Sequence, residues 1–156
     1  MSLQQRDALD QLLRDGPLDL GGNVQEQRTI FDEMMGATPV PADVTTSSGS
    51  LGGIPVVNLD VEGAETEHVI LYFHGGAYAI GTAASSVGLA AELGHRARVR
   101  VASVDYRLAP ENPYPAALED AIAAYRGLLA TGLSPSASRS PASPPVPGSS
   151  PRRSWR

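Results

Sequence analysis

The spacing of apolar residues changes character along this chain, and each change marks an element. Near the N-terminus, Leu9, Leu12 and Leu13 share one helical face. Ser2 and Gln5 stand at the spacing of a capping box, and Gly16-Pro17 stops the run. A second helix is predicted over 24–35, with Ile30, Phe31, Met34 and Met35 on its apolar side. The Ser/Gly-rich stretch 45–53 reads as a turn. The pattern then becomes extended, with strands predicted over 54–61 and 69–73. His68 stands just before the second of these, which is nearly all apolar, as befits a strand covered on both faces. Helical spacing returns over 83–97, where His95 lies, and a further buried strand follows over 99–106. Pro115 suits the first turn of a last helix, on which Leu118, Ile122, Tyr125 and Leu129 form a stripe before Gly132 ends it. Strand, loop, helix, repeated, is the rhythm of a parallel sheet with right-handed crossovers.

Beyond Gly132 the periodicity disappears. Residues 134–156 hold eight serines and six prolines and no acid, the composition of a disordered segment. Prolines at 141, 144, 145, 147 and 151 exclude a central strand.

At 156 residues the chain is long enough for one domain with a real core. It has no cysteine, hence no disulfide framework and no thiolate metal site, which fits a reducing compartment. The first ten residues carry acids and no apolar run, unlike a secretory signal or a membrane span, so a cytoplasmic location is expected. The formal charge of −5 is unevenly placed: residues 1–133 carry 17 acids against 8 arginines, a net of −9. A body this acidic repels nucleic acid and anionic lipid, and it also serves simply to keep a protein in solution. All twelve basic residues are arginine, a bias that GC-rich coding favours.

Two segments carry chemistry. His74-Gly75-Gly76-Ala77 directly follows an apolar strand, where an acyl-transfer enzyme builds half of an oxyanion hole from backbone N–H groups. Glycine suits such a turn because a side chain would obstruct both the turn and the approaching carbonyl. A tight strand-to-helix turn without chemistry has the same composition. The second segment, Asp105-Tyr106-Arg107-Leu108-Ala109-Pro110-Glu111 followed by Pro113, Tyr114 and Pro115, is the more specific of the two.

Together these motifs resemble the signatures of the hormone-sensitive-lipase branch of the α/β-hydrolases. The resemblance implies an α/β fold, namely the N-terminal part of an α/β-hydrolase: a mostly parallel sheet with flanking helices, preceded by N-terminal cap helices, and incomplete. Residues 1–40 would be the cap helices, 41–133 a partial hydrolase core and 134–156 the disordered tail. The resemblance assigns the oxyanion hole to Gly75, Gly76 and Ala77, with the N–H groups of Gly76 and Ala77 as donors and His74 in the same loop. Ala77 replaces the third glycine of the family's motif and keeps its N–H while adding a methyl group near the acyl pocket. Asp105, Tyr106, Arg107, Pro110 and Glu111 would be structural, with Arg107 and Glu111 holding their loop by charge-assisted hydrogen bonds. The implied activity is that of a serine carboxylic-ester hydrolase whose partner is a small-molecule acyl ester, with no metal, no organic cofactor and no nucleic acid.

The remaining machinery is missing from the chain. Gly-x-Ser-x-Gly, which exposes the nucleophile, occurs nowhere, and Gly148-Ser149-Ser150-Pro151-Arg152 is not it. Neither His68, His74 nor His95 is placed as a base beside a nucleophile. Loss of one base near the Ser136–Ala137 junction would account for this. Read one base out of register with GC-rich wobble positions, the codons after Ala137 permit an apolar strand, then Gly-Glu-Ser-Ala-Gly, then a helix-forming run. The restored serine overlaps the codon of Pro144. This chain by itself is therefore expected to be inactive. The rival readings are a non-catalytic binding module on the same scaffold and a non-functional gene fragment.

Overall fold

The computed structural model describes residues 2–18 and 21–132, so the tail over 134–156 lies outside the described residues. Helix α1 spans Leu3–Arg14 and α2 spans Val24–Gly36. The capping box is formed as expected: Ser2 Oγ accepts from the Gln5 N–H at 3.2 Å, and Gln5 Oε1 accepts from the Ser2 N–H at 2.8 Å. The side chains of Leu9, Leu12 and Leu13 fall outside what is described. Asn23 caps α2 by accepting from the N–H groups of Gln25 and Glu26. On α2, Ile30, Phe31 and Met35 are half-buried and Met34 is exposed.

Strands β1 (Val44–Leu51) and β2 (Ile54–Val61) form an antiparallel hairpin in register from Val44↔Val61 to Leu51↔Ile54. Most of the stretch expected as a turn over 45–53 is therefore strand. Only Gly52 and Gly53 turn the chain, at φ 58° and 85°, the left-handed pair that a two-residue hairpin turn requires. Sequence pattern missed β1 because it is an edge strand: Thr45, Thr46, Ser47 and Ser48 are all exposed, so no alternation marks it. Strand β3 runs Glu65–Phe73 with a register irregularity between Glu65 and Val69, which puts His68 inside the strand rather than before it. Helix α3 covers Val87–Ala97, preceded by turns over 83–86, and leads to β4 (Val99–Val104). Helix α4 covers Ala116–Ala130.

The strand order is β1-β2-β4-β3. Strands β3 and β4 pair in parallel through α3, the crossover that the rhythm predicts. Strand β2 is antiparallel to both β1 and β4, so the described sheet is mixed rather than mostly parallel. The reason is connection length: a two-residue turn joins only antiparallel strands, whereas the segment between β3 and β4 holds a helix.

Helix α3 packs on β4 and β2, placing the fully buried Ala90 and Ala91 against Leu59, Val61 and Val101. The opposite face of the sheet buries Val56, Val104, Tyr106 and Ala124, the last from α4. The face that α4 buries is not the predicted stripe. Ala116, Asp120 and Ala124 are buried, while Leu118, Ile122 and Tyr125 are 49%, 42% and 45% exposed and Leu129 is half-buried. Small residues win because α4 crosses the hairpin turn at backbone contact. A Cβ on Gly127 would lie 2.1 Å from the Gly52 nitrogen, and one on Gly52 would lie 2.2 Å from the Ala123 carbonyl oxygen.

Candidate active site

The ends of the parallel strands β3 and β4 lead into two loops, 74–81 and 105–115, that meet beside each other. His74 is the first residue past β3 and is 4% exposed. Its ring stacks on Tyr106, with centroids 4.2 Å apart and planes 10° from parallel. Nδ1 lies 2.8 Å from the Gly75 carbonyl oxygen, which can only accept, so Nδ1 carries the proton. Tyr106 donates its hydroxyl proton to the His74 carbonyl at 2.7 Å. Burial pushes the imidazole below its ordinary pKa, keeping it neutral, and pushes the Tyr106 hydroxyl up to about 12. His74 is thus a pin between the two loops, built from a buried stack and two backbone hydrogen bonds.

The turn that follows is left-handed: φ is 120° at Gly76, 53° at Ala77 and 62° at Tyr78. Only glycine fits at 76, since a Cβ there would sit 2.0 Å from the Ile80 carbonyl oxygen. The Gly76 carbonyl accepts from the N–H groups of Ala79 and Ile80 at 2.9 and 3.0 Å. Among the described residues, no group accepts a hydrogen bond from the N–H of Gly76 or of Ala77. Gly75, Gly76 and Ala77 line a cavity of about 900 Å³. Phe73, Tyr78, Ala109, Tyr114, Leu118 and Ala121 give it apolar walls.

The second loop is fixed by charges from outside it. Asp105 Oδ1 accepts from the Ala83 N–H at 2.9 Å, tying the second loop to the turns that lead into α3. Arg107 grips the carboxylate of Asp120 on α4, through its backbone N–H at 2.9 Å and its Nη2 at 2.7 Å. Asp120 is 4% exposed, and the hydrogen bonds from Arg107 hold its carboxyl below the usual range. Glu111 accepts from Arg28 on α2 at 2.9 and 2.7 Å and from Gln25 at 3.0 Å. Those bonds, Arg28's first, bring its carboxyl down to about 2. Arg107 and Glu111 therefore do not pair with each other; each ties the loop to a different helix. Pro110 sits between Glu111 and Ala109, whose N–H donates to the Tyr78 carbonyl at 2.8 Å.

Sequence reasoning missed Arg28, Gln25 and Asp120, which no local pattern marks. It also missed the pair formed by His95 Nδ1 and Asp43 at 2.9 Å, away from the cavity lining. Among the described residues no histidine is hydrogen-bonded to a serine, and no cluster of three His, Cys, Asp or Glu side chains could hold a metal ion. No described helix is long and apolar enough to cross a membrane.

A left-handed, glycine-bearing turn at the end of one parallel strand is thus clamped to a charged loop at the end of the next. The family defined by the alpha/beta hydrolase fold matches residues 70–150. The chain belongs to that family. It is similar to an acetyl-hydrolase of Streptomyces hygroscopicus, 38% identical over 117 residues that make up 73% of this chain and 38% of that protein. It is also similar to the carboxylic ester hydrolase LipN of Mycobacterium tuberculosis, at 35% identity over 109 residues, 69% of this chain and 29% of that one. Among solved structures it resembles an esterase from the bacterial hormone-sensitive lipase family, with a TM-score of 0.71 and 33% identity over 86% of this chain and 46% of that one. The resemblance drawn from the two motifs is thereby shown, and the chain spans less than half the length of each of these relatives.

Proposed function

We propose that the 74–81 and 105–115 loops form the acyl-binding and oxyanion-stabilising part of a serine carboxylic-ester hydrolase acting on small or medium acyl esters. The observation that carries this reading is the pair of unengaged N–H groups on Gly76 and Ala77, on a turn that lines an apolar cavity of about 900 Å³. An ester carbonyl entering the cavity would set its oxygen against donors already fixed in place. Each such donor is worth roughly 2.7–4 kcal/mol in the transition state of acyl transfer. The relatives named for acetyl and carboxylic esters support the substrate class. Residues 1–40 serve in this reading as a cap, with α2 lying against the loops.

The sequence of 156 residues holds no Gly-x-Ser-x-Gly, so this chain by itself binds an acyl group without cleaving its ester. One lost base near the Ser136–Ala137 junction accounts for the missing elbow. The family match reaching residue 150 weighs against that account, since an out-of-frame tail would not resemble the family, and a DNA read across the junction decides the matter.

The test of function is direct. The purified chain should hydrolyse p-nitrophenyl butyrate no faster than a control protein and should resist labelling by a fluorophosphonate. Butyrate, the product acid, should slow amide hydrogen exchange across residues 74–80. Stoichiometric labelling of a serine would place a nucleophile inside the chain, and exchange unaltered by butyrate would remove the acyl-site reading.

A further inference from the structure

Arg28 lies on α2, well away in sequence from either loop, yet its guanidinium is spent almost wholly on them. Nε donates to the Ala79 carbonyl at 2.8 Å, inside the oxyanion turn. Nη2 donates to the Ala109 carbonyl at 2.9 Å and to Glu111 at 2.7 Å, and Nη1 donates to Glu111 at 2.9 Å. Ala109 is held at both of its backbone groups, because its N–H donates to the Tyr78 carbonyl at 2.8 Å. Only 19% of the Arg28 side chain is exposed, so this is no loose surface pair.

The turn needs such support. Left-handed φ values at the non-glycine residues Ala77 and Tyr78 are unfavourable, and strained backbone persists only where its surroundings over-determine it. The hydrogen bonds to the Gly76 carbonyl lie within the turn and cannot orient it against the cavity. Orientation comes from outside, from Tyr106 on the His74 carbonyl, from the Ala109 N–H on Tyr78, and from Arg28 on Ala79. The first two supports come from the second loop itself, whereas Arg28 reaches in from α2 and bonds to both loops, through Ala79 on one side and Ala109 and Glu111 on the other.

We propose that Arg28 is a positioning residue: its planar fork sets the oxyanion turn against the 105–115 loop and so aims the N–H groups of Gly76 and Ala77 into the cavity. This rests on the acyl-site reading above. Lysine cannot replace it, because one ammonium head cannot donate along the separate directions that Ala79, Ala109 and Glu111 demand.

The experiment compares the parent chain with Arg28→Lys, Arg28→Ala and Glu111→Gln by amide hydrogen exchange read by mass spectrometry, at micromolar protein and over a butyrate titration. Without butyrate, Arg28→Lys should exchange residues 76–80 at least about tenfold faster than the parent while β2 and β4 keep parental rates; loss of a hydrogen bond to a charged donor has an effect of that size. Protection by butyrate should then require at least about tenfold more ligand. Arg28→Ala should do at least as much. Glu111→Gln, which leaves the bonds to Ala79 and Ala109 in place, should do less. The proposal is overturned if Arg28→Lys matches the parent in both measurements, if all segments speed up together, if Glu111→Gln equals Arg28→Lys, or if Arg28→Lys fails to fold. A parent chain that butyrate does not protect removes the acyl-site reading, and the ligand-free exchange rates still judge whether Arg28 fixes the turn.

Discussion

Ala77 carries a methyl group where the backbone favours none. At φ 53°, followed by Tyr78 at 62°, it occupies a region that disfavours L-residues by about 1–2 kcal/mol. Replacing it with glycine removes that penalty but adds about 0.4–1 kcal/mol of chain entropy to the unfolded state. The strain term is the larger. Ala77→Gly is therefore expected to raise the midpoint of urea unfolding, by the equivalent of about 0.5–1 kcal/mol. A lowered midpoint would mean that the methyl group makes contacts that outweigh the strain. At this scale the sequence spoke unevenly. The turn at Gly75 and Gly76 was legible because a tight turn after a buried strand needs small residues. The partners of Arg107 and Glu111 were not, since a charge shows nothing of where folding will carry it. Asp120 lies 13 positions from Arg107 and Arg28 lies 83 from Glu111.

Elements were legible where their hydrophobic period matched their surroundings, and illegible where size mattered more than polarity. Strand β1 has no alternation because both of its faces are largely exposed, and it exists through pairing with β2. On α4, the pattern of Leu118, Ile122 and Tyr125 marks the most apolar face, whereas the helix buries the smallest one, against the Gly52–Gly53 turn. The two criteria disagree measurably at Gly127. By helix propensity alone, Gly127→Ala should gain about 0.8–1 kcal/mol. By packing, the added Cβ lies 2.1 Å from the Gly52 nitrogen, a backbone atom that cannot rotate aside. Overpacking of that kind costs about 1–3 kcal/mol. Packing wins, and Gly127→Ala should lower the unfolding midpoint. A stabilised variant would show that α4 can slide off the hairpin turn, and with it that the small face is not what fixes the helix.

For the whole molecule, the βαβ crossover was legible from the alternation of apolar runs and helical spacing. The antiparallel entry through β1 and β2 was not, because the turn that makes it was hidden in a longer polar stretch. Strand order matters most at the other end of the sheet. Strand β3 pairs with β4 on one side only among the described residues, and Phe73 at its end is 40% exposed. On α4, Leu118 and Ile122 are also exposed, and Leu118 lines the same cavity as Phe73. An open, apolar strand edge next to an apolar helix face is a template for pairing with another chain. In a solution of this protein alone the partner open to that edge is a second copy, which β3 can meet antiparallel about a two-fold axis. We therefore expect sedimentation velocity to show self-association that grows with protein concentration. Leu118→Lys combined with Ile122→Lys places charge on that face at exposed positions, where substitutions usually shift stability within about 0.5 kcal/mol. The double variant should remain monomeric at concentrations where the parent associates, with its unfolding midpoint little changed. A parent chain that stays monomeric at every concentration and melts cooperatively would show that the β3 edge is satisfied within the chain itself, and the folded unit would then be self-sufficient.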